Sequence, residues 1–377
     1  MNVPKLRFKG FNDEYKVCKL KNVSEIYDGT HKTPNYVDYG VKFVSVENIS
    51  NLLSTTKYIS EADFDKYKIK PKYNDVFMTR IGDIGTSSVY KSDAKLAFYV
   101  SLALLRTKDK DILVPDYLNQ YIKSIFFQRE LNNRTIHVAF PKKINTGEIG
   151  ECNLNLCSKE EQLKVANFLS FLDKKIELQT KKIEDLKLFK KSLILDKKNN
   201  VNNWYEYKIS DILNITRGVV ISKDDINANM DEEHIYPVYS SQTSNDGILG
   251  YDDNYDFDGK YLTWTTDGAN AGKVFYRDGK FRCTNVCGVL YNKNNKFVNI
   301  LTAELLNIET PKHVSYVGNP KLMNNVMANI KVKLPPKSEE RVLSGFLTII
   351  NNKIFYENLK LSKIIKLKKG LMQNMFV

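Results

Sequence analysis

One amphipathic stretch occurs twice in this chain, and no other feature constrains its fold as strongly. Residues Leu156–Leu195 align without a gap on Leu334–Gln373 at a displacement of 178 positions (334 − 156). Phe168-Leu169 falls on Phe346-Leu347, Lys175-Ile176 on Lys353-Ile354, Lys190-Lys191 on Lys368-Lys369 and Leu193 on Leu371. Val165, Leu169, Leu172, Ile176, Ile183, Leu186 and Leu193 follow an alternation of four and three steps, as do Leu343, Leu347, Ile350, Ile354, Leu361, Ile364 and Leu371. That alternation is a heptad seam and predicts two long helices, each burying one stripe. Interruptions of the seam correspond too: Gln179 falls on Glu357, and Lys190 on Lys368. Two unrelated amphipathic helices would share a period but not its defects. A second copy far along the chain implies a duplicated module with internal pseudo-symmetry.

The two helices divide the chain into four parts: residues 1–155, a first helix over 156–200, residues 201–333, and a second helix over 334–377. Lys197-Lys198-Asn199-Asn200 with Asn202-Asn203 reads as a polar linker closing the first helix. Pro335-Pro336 opens the second, since proline suits a first helical turn but not its interior. The globular parts also repeat, more weakly. Tyr15, Lys19-Leu20, Val23, Ile26 and Gly29 pair with Trp204, Lys208-Ile209, Ile212, Ile215 and Gly218 at a displacement of 189 (204 − 15). Val76-Phe77-Met78-Thr79, Gly82-Asp83-Ile84-Gly85 and Val89-Tyr90 echo Tyr261-Leu262-Thr263, Thr266-Asp267-Gly268-Ala269 and Val274-Phe275. Both series read as strand, tight Gly-rich loop, strand. Lys142-Lys143-Ile144-Asn145 faces Pro320-Lys321-Leu322-Met323 at the helical displacement. Strand-like Phe43-Val44-Ser45-Val46 and Leu102-Ala103-Leu104-Leu105 precede a helical run from Pro115 to Gln128, with Tyr117, Leu118, Tyr121, Ile122 and Ile125 on one face. This mixture is α+β, not the regular alternation of a doubly wound sheet. Divergence of the globular copies, set against the similarity of the helices, suggests a fixed scaffold carrying two different readers.

A net charge of +13 points to a polyanionic partner, nucleic acid before anionic membrane. The plainer reading is that lysines decorate solvated helix faces. Only nine of the 57 basic residues are arginine, so Arg80, Arg217, Arg277 and Arg282 are better candidates for specific contacts than any one lysine. Five cysteines without a C-x-x-C pair, and four scattered histidines, argue against a disulfide framework and against zinc. The expectation is reduced, mostly buried thiols in a cytoplasmic protein. The Met1–Gly10 segment lacks the apolar core of a signal peptide, and no apolar run approaches membrane-spanning length.

Catalytic signatures fail one by one. Gly268–Lys273 resembles a P-loop but is one residue short between its glycines, and Val274 stands where the Mg²⁺-binding Ser or Thr belongs. Pro115-Asp116 has no nearby Glu-x-Lys to complete a nuclease site. No Asn-Pro-Pro-Tyr or Asp-Pro-Pro-Tyr is present to hold a flipped adenine. What remains is binding surface on loops beside strands. In the first unit the candidates for DNA contact are Thr30, His31, Lys32, Arg80, Asp83 and His137. In the second they are Ser241, Gln242, Trp264, Thr266, Asn270, Lys273 and Tyr316. Polar side chains of these types hydrogen-bond base edges, while lysines and amides position phosphates. Taken singly, Thr and Asn serve equally well as turn formers and Trp264 as a core aromatic; as a set, the loops favour DNA.

These features resemble the specificity subunits of type I restriction–modification systems, over essentially the full chain. The resemblance includes the opening Pro4-Lys5-Leu6-Arg7-Phe8-Lys9-Gly10-Phe11 and the strand-leading Leu20 and Ile209. It extends to the helix leads Lys159-Glu160-Glu161-Gln162 and Lys337-Ser338-Glu339-Glu340, and to the tail Lys368-Lys369-Gly370-Leu371-Met372-Gln373. One departure is Cys157-Ser158, where the second copy keeps the more usual Pro335-Pro336. The resemblance implies two pseudo-symmetric α/β target-recognition domains separated by a long antiparallel two-helix coiled coil. Each domain would read half of a split double-stranded DNA site. The coiled coil, with Leu169, Leu172, Ile176, Ile183 and Leu186 against Leu347, Ile350, Ile354, Leu361 and Ile364, would act as spacer and help dock two methyltransferase subunits. A helix of about 38 residues spans on the order of 57 Å, or about 17 base pairs of duplex rise at most. Half-sites about one helical turn apart fall within that reach. The resemblance implies no catalysis by this chain alone and no cofactor in it. S-adenosylmethionine, ATP and Mg²⁺ would belong to the methyltransferase and motor-nuclease subunits, which methylate adenine and cleave DNA. The rival readings are a subunit of a methylation-only complex, a coiled-coil adaptor with sequence-blind DNA affinity, and a self-sufficient nuclease.

Overall fold

The computed structural model describes residues 3–200 and 203–377. Two compact units divide the chain, Met1–Thr180 with Leu359–Val377, and Lys181–Asn358. In the first unit the strands are β1 (Lys16–Lys19), β2 (Ser24–Asp28), β3 (Val41–Val44), β4 (Tyr58–Ile59), β5 (Val76–Thr79), β6 (Ser87–Val89), β7 (Leu96–Phe98), β8 (Leu102–Thr107) and β9 (Asn153–Leu156). The second unit holds β10 (Tyr205–Lys208), β11 (Asn214–Arg217), β12 (Tyr236–Tyr239), β13 (Ile248–Asp252), β14 (Phe257–Thr265), β15 (Val274–Cys283), β16 (Cys287–Tyr291) and β17 (Lys331–Leu334).

One topology serves both units. Apart from a two-stranded ribbon, the second unit has one six-stranded sheet in the order β11-β16-β14-β15-β12-β13, with β12 and β15 parallel. The first has two sheets, β2-β8-β5-β6 and β4-β3-β7, with β3 and β7 parallel. The two orders match once β6 and β7 together are set against the unbroken β15. Between β6 and β7 the chain turns, and the buried Tyr90 closes the turn by donating its hydroxyl hydrogen bond to the Ala94 carbonyl. Separate two-stranded ribbons repeat to the residue: β1 pairs with β9 from Lys16↔Leu156, and β10 with β17 from Tyr205↔Leu334. Those partners are the positions equated by the displacements of 189 and 178.

Tertiary contacts are duplicated as well. Tyr15 donates from its hydroxyl to Glu161 Oε1 at 3.1 Å, and Trp204 donates from Nε1 to Glu339 Oε2 at 3.1 Å. Both carboxylates lie in the first turn of a long helix, where the exposed amides favour negative charge. Gly29 and Gly218 are also equivalent, and the reason is close approach. A Cβ on Gly29 would stand 2.5 Å from the Tyr99 backbone, and one on Gly218 would stand 2.0 Å from the Cys283 carbonyl. At each point the chain crosses a second strand through a parallel bridge, Thr30↔Tyr99 and Val219↔Thr284.

The long helices span Lys159–Asn200 and Lys337–Met375. Helix therefore continues through Lys197–Asn200, correcting the expectation of a linker there; Lys side chains are good helix formers, and Lys198 pairs with Glu309. Asn202 lies outside the described residues. Where the second helix follows Pro336, the first begins after Ser158, whose hydroxyl accepts from the Glu161 amide at 3.4 Å. The helical run expected from Pro115 to Gln128 is two helices, Pro115–Ile122 and Ile125–Arg134. The buried Ser124 caps the second by accepting from Phe127 N, which turns Ile125 out to solvent.

Every seam position named above is buried or half-buried. Leu169, Leu172, Ile183, Leu347 and Ile350 are buried; Ile176, Leu186, Ile354, Leu361 and Ile364 are half-buried. Within each unit the helical segments run antiparallel, since Asp173 meets Lys368 in the first, and Lys182 meets Glu357 and Lys190 meets Asn351 in the second. Leu169 joins Tyr117, Tyr121, Met375 and Phe376 in the first core. Its equivalent Leu347 joins Trp204, Trp264, Leu301 and Leu305 in the second. Burying each such leucine contributes about 1.5–3 kcal/mol.

Polar seam residues have specific partners. Lys368 is buried and pairs with Asp173, which also accepts from Gln120 Nε2 at 2.8 Å. In the second unit Lys190 occupies the place of Lys368, but Asn351 stands in place of Asp173. Lys190 reaches Asn351 Oδ1 at 3.1 Å and takes its carboxylate from Glu304 Oε1 at 2.8 Å. Glu357 pairs with Lys182 at 2.9 Å and Lys353 at 3.3 Å. Displacing either helix by a turn would separate these charges, so they set register.

Candidate nucleic-acid interface

Parallel bridging at Gly29 lifts Thr30, His31 and Lys32 off the end of β2. His31 and Lys32 are exposed, and Thr30 is half-buried, in a recess shared with Lys66, Tyr67 and Lys68. Lys66 and Lys68 were not expected from the sequence, because nothing local ties the 66–68 segment to β2. The loop after β5 carries Asp83, exposed and accepting from Thr86 Oγ1 at 2.6 Å. Asp83 lines a second recess together with Gly82, His137 and Lys142. His137 is exposed, its Nε2 lying 2.9 Å from the Asn132 carbonyl.

Arg80 must be reassigned. It is buried, with Nε donating to the Ile144 carbonyl at 3.0 Å and Nη1 reaching Asp28 at 2.6 Å and the Val100 carbonyl at 3.1 Å. Asp28 also lies 3.2 Å from His31 Nε2. Arg80 therefore couples the base of the His31 loop to the base of the Asp83 loop and is not free to read a base edge. Arg277 is likewise buried: it pairs with Asp246 at 2.6 Å and lies over the Tyr239 ring at 3.6 Å. Arg282 is held by Asp252 at 2.8 Å and Asp256 at 3.2 Å. Of the four arginines singled out, Arg217 alone is exposed.

In the second unit two of the expected loops meet: Asn270 Nδ2 donates to Thr243 Oγ1 at 2.9 Å, beside half-buried Ser241 and Gln242. Gln242 spends its side-chain amide on the Ile248 carbonyl. Asn245 and Asp246 take positive φ angles of 49° and 54°, and Arg277 holds this strained turn through the Asp246 carboxylate and carbonyl. Trp264 and Thr266 do not belong to the surface. The Trp264 indole is fully buried, donates from Nε1 to the Leu322 carbonyl at 3.1 Å, and packs so closely on Gly288 that a Cβ there would stand 2.2 Å from the ring. Thr266 is buried and donates to Asp267 Oδ2 at 2.6 Å. Tyr316 is exposed on a neighbouring loop.

Lys273 closes the Asn270 loop, its amide donating to the Asn270 carbonyl at 3.1 Å, and its side chain lines a groove of about 890 Å³ with Lys187, Lys190, Asp246, Glu304 and Phe355 among others. Lost hydration there, opposed by the Glu304 carboxylate and reinforced by Lys190, holds its ammonium pKa below the ordinary value. Among the described residues no group of His, Cys, Asp and Glu is arranged to hold a metal ion. The five cysteines are unpaired, and burial pushes Cys152 and Cys157 up to about 12. No helix among the described residues is long and apolar enough to cross a membrane.

Two mixed α+β units of one topology, each with polar surface loops and its own stretch of antiparallel helical seam, define a duplicated recognition protein. The chain belongs to the family of the type I restriction modification DNA specificity domain, whose sequence model matches residues 12–188 and again 202–367. It is a DNA sequence-specificity subunit, a component that works with DNA and with other subunits of a type I system. It is 39% identical over 205 residues to S.MpnORF365P, a candidate type I specificity subunit of Mycoplasma pneumoniae, covering 52% of this chain and 74% of that one. With the specificity subunit of the type I restriction enzyme MpnII of the same organism it shares 44% identity over 142 residues, 37% of this chain and 42% of that one. The crystal structure of a type I restriction–modification S subunit from M. genitalium has the same fold. It superposes with a TM-score of 0.68 over 100% of this chain and 99% of that one, at 14% identity.

Proposed function

We propose that each unit reads one half of a bipartite double-stranded DNA site, and that partner subunits perform all the chemistry. One observation carries this reading: two units share strand order, ribbon register and buried ties yet present different side chains on equivalent loops. Where His31 and Lys32 follow Gly29 in the first unit, Val220 and Ile221 follow Gly218 in the second; the loop of Asp83 is matched by that of Asn270, and His137 by Tyr316. A symmetric reader would need matching loops; dissimilar loops on one scaffold suit an asymmetric site. Exposed lysines such as Lys32, Lys66 and Lys142 supply phosphate contacts that position the reader without specifying sequence.

In this reading two methyltransferase subunits bring S-adenosylmethionine and methylate adenine, and motor-nuclease subunits bring ATP and Mg²⁺ for cleavage. The chain holds no cofactor itself and acts in the cytoplasm. Its long helices set the gap between half-sites. The test is to replace residues 1–155 with those of a relative, express the hybrid with its methyltransferase, and map methylated adenines by single-molecule sequencing. One half of the motif changes and the other stays. A change in both halves would overturn the assignment of one half-site to each unit.

A further inference from the structure

Both units build the same hairpin beside their Gly turn. In the first, Lys143 bridges antiparallel to Ile81 on one side and to Ile136 on the other. Gly82 N donates to the Lys142 carbonyl at 2.8 Å, and Ile144 N to the Arg80 carbonyl at 3.0 Å. In the second, Lys321 bridges Asp267 and Ser315. Gly268 N donates to the Pro320 carbonyl at 2.9 Å, and Leu322 N to the Thr266 carbonyl at 2.8 Å. Ile144 and Leu322 are fully buried, so each hairpin is anchored in its core.

At the tips the polarity is reversed. Val138 is 98% exposed and Phe140 completely so; Tyr316 is 67% and Val317 92% exposed. A solvated loop gains nothing from apolar residues there, and single exposed hydrophobics are ordinary, but this placement recurs. It falls at the same topological point of both units on tips of different sequence. Each tip also stands beside polar loops and exposed lysines, Lys142 and Lys143 in one unit and Lys321 in the other. An apolar or aromatic tip between cations, on a backbone fixed by bridging hydrogen bonds, matches one ligand class well: a base step flanked by phosphates.

We propose that Val138-Phe140 and Tyr316-Val317 are wedges that enter a DNA base step, each within the half-site of its own unit, and unstack it. This rests on the half-site reading above. It adds a part for these loops that hydrogen-bonding side chains cannot play, since an adenine must leave the stack to be methylated and a neighbouring wedge lowers the cost of its leaving.

The experiment uses the chain assembled with its methyltransferase, and duplexes bearing the mapped motif with 2-aminopurine placed at successive steps other than the methylated one. Wild-type complex should brighten the probe at one step in each half-site. V138S/F140S should abolish the signal in the first half-site only and weaken binding about ten- to a hundredfold. Y316S/V317S should do the same in the second half-site, while F140W restores the first. Preference of V138S/F140S, which touches none of the base-reading candidates, for the motif over a scrambled duplex reports half-site reading separately, and it should persist. Three results would overturn the wedge: no brightening at any step in wild type, brightening unchanged in both serine variants, or loss of methyltransferase binding at gel filtration with DNA unstacking intact. The last would make the tips protein-docking sites.

Discussion

Lys190 and Lys368 are equivalent by sequence, but removing them should not cost the same. Methionine keeps most of the lysine stem and deletes only the charge, so Lys190→Met and Lys368→Met compare partners, not packing. Lys368→Met leaves Asp173, whose side chain is 39% exposed and still accepts from Gln120. Solvent screens such a charge, and the cost should be about 1 kcal/mol or less. Lys190→Met leaves Glu304, whose side chain is 16% exposed and 2.8 Å from the deleted ammonium. Stranding a buried carboxylate costs about 3–5 kcal/mol, and Lys273 nearby lowers that to about 2–3. With a urea slope of about 2–3 kcal/mol per molar, the midpoint should fall by about 1 M for Lys190→Met and by less than about 0.5 M for Lys368→Met. Both tryptophans, Trp204 and Trp264, lie in the second unit, so their fluorescence follows the Lys190 site and circular dichroism follows the whole chain. Adding Glu304→Gln to Lys190→Met should recover part of the loss. Equal shifts for the two lysines, or no recovery with Glu304→Gln, would refute the view that partner burial sets the cost.

Gly218→Ala should destabilise the second unit by about 1–3 kcal/mol or more, because the backbone of Cys283 cannot yield as a side chain would; a thermal melt within a degree of wild type would contradict this. Acid sensitivity follows from three carboxylates. Burial would raise Asp173, Asp252 and Glu309, but hydrogen bonds and the neighbouring cations Lys368, Arg282 and Lys198 outweigh it and hold all three below the ordinary carboxylate range. The unfolded chain then takes up protons first as pH falls, so this stabilisation is complete above about pH 5 and is lost on acidification through the folded-state values; urea midpoints at pH 7, 5 and 3.5 should fall only over the last step. Inserting one helical turn into the first long helix should change the gap in the methylated motif and spare both half-sites, which methylation sequencing reads directly.

Much of the scaffold was legible from the chain alone. A heptad stripe is local information: each seam leucine lies three or four residues from the next, and one stripe of a helix is either apolar or not. The defects at Glu357, Lys190 and Lys368 were legible for the same reason, though their partners were not, because Glu304 and Asp173 come from other elements. Equivalences such as Tyr15 with Trp204 and Gly29 with Gly218 pointed to a repeat without saying what was repeated; it proved to be a donor to the helix's first turn and a strand crossing that admits no side chain. The candidate DNA-contact loops were read less well. Thr30, His31, Asp83, His137, Asn270 and Tyr316 lie on surface loops as their polar neighbourhoods suggested, but Arg80, Trp264 and Thr266 are interior. Their burial depends on the carbonyls of Ile144, Val100 and Leu322, and on the close approach of Gly288. Those atoms belong to segments 20 to 64 residues away that reach them only once the sheets have formed. Periodicity along a chain decides which face of an element is apolar; whether a loop residue meets water is decided by whatever distant strand passes over it.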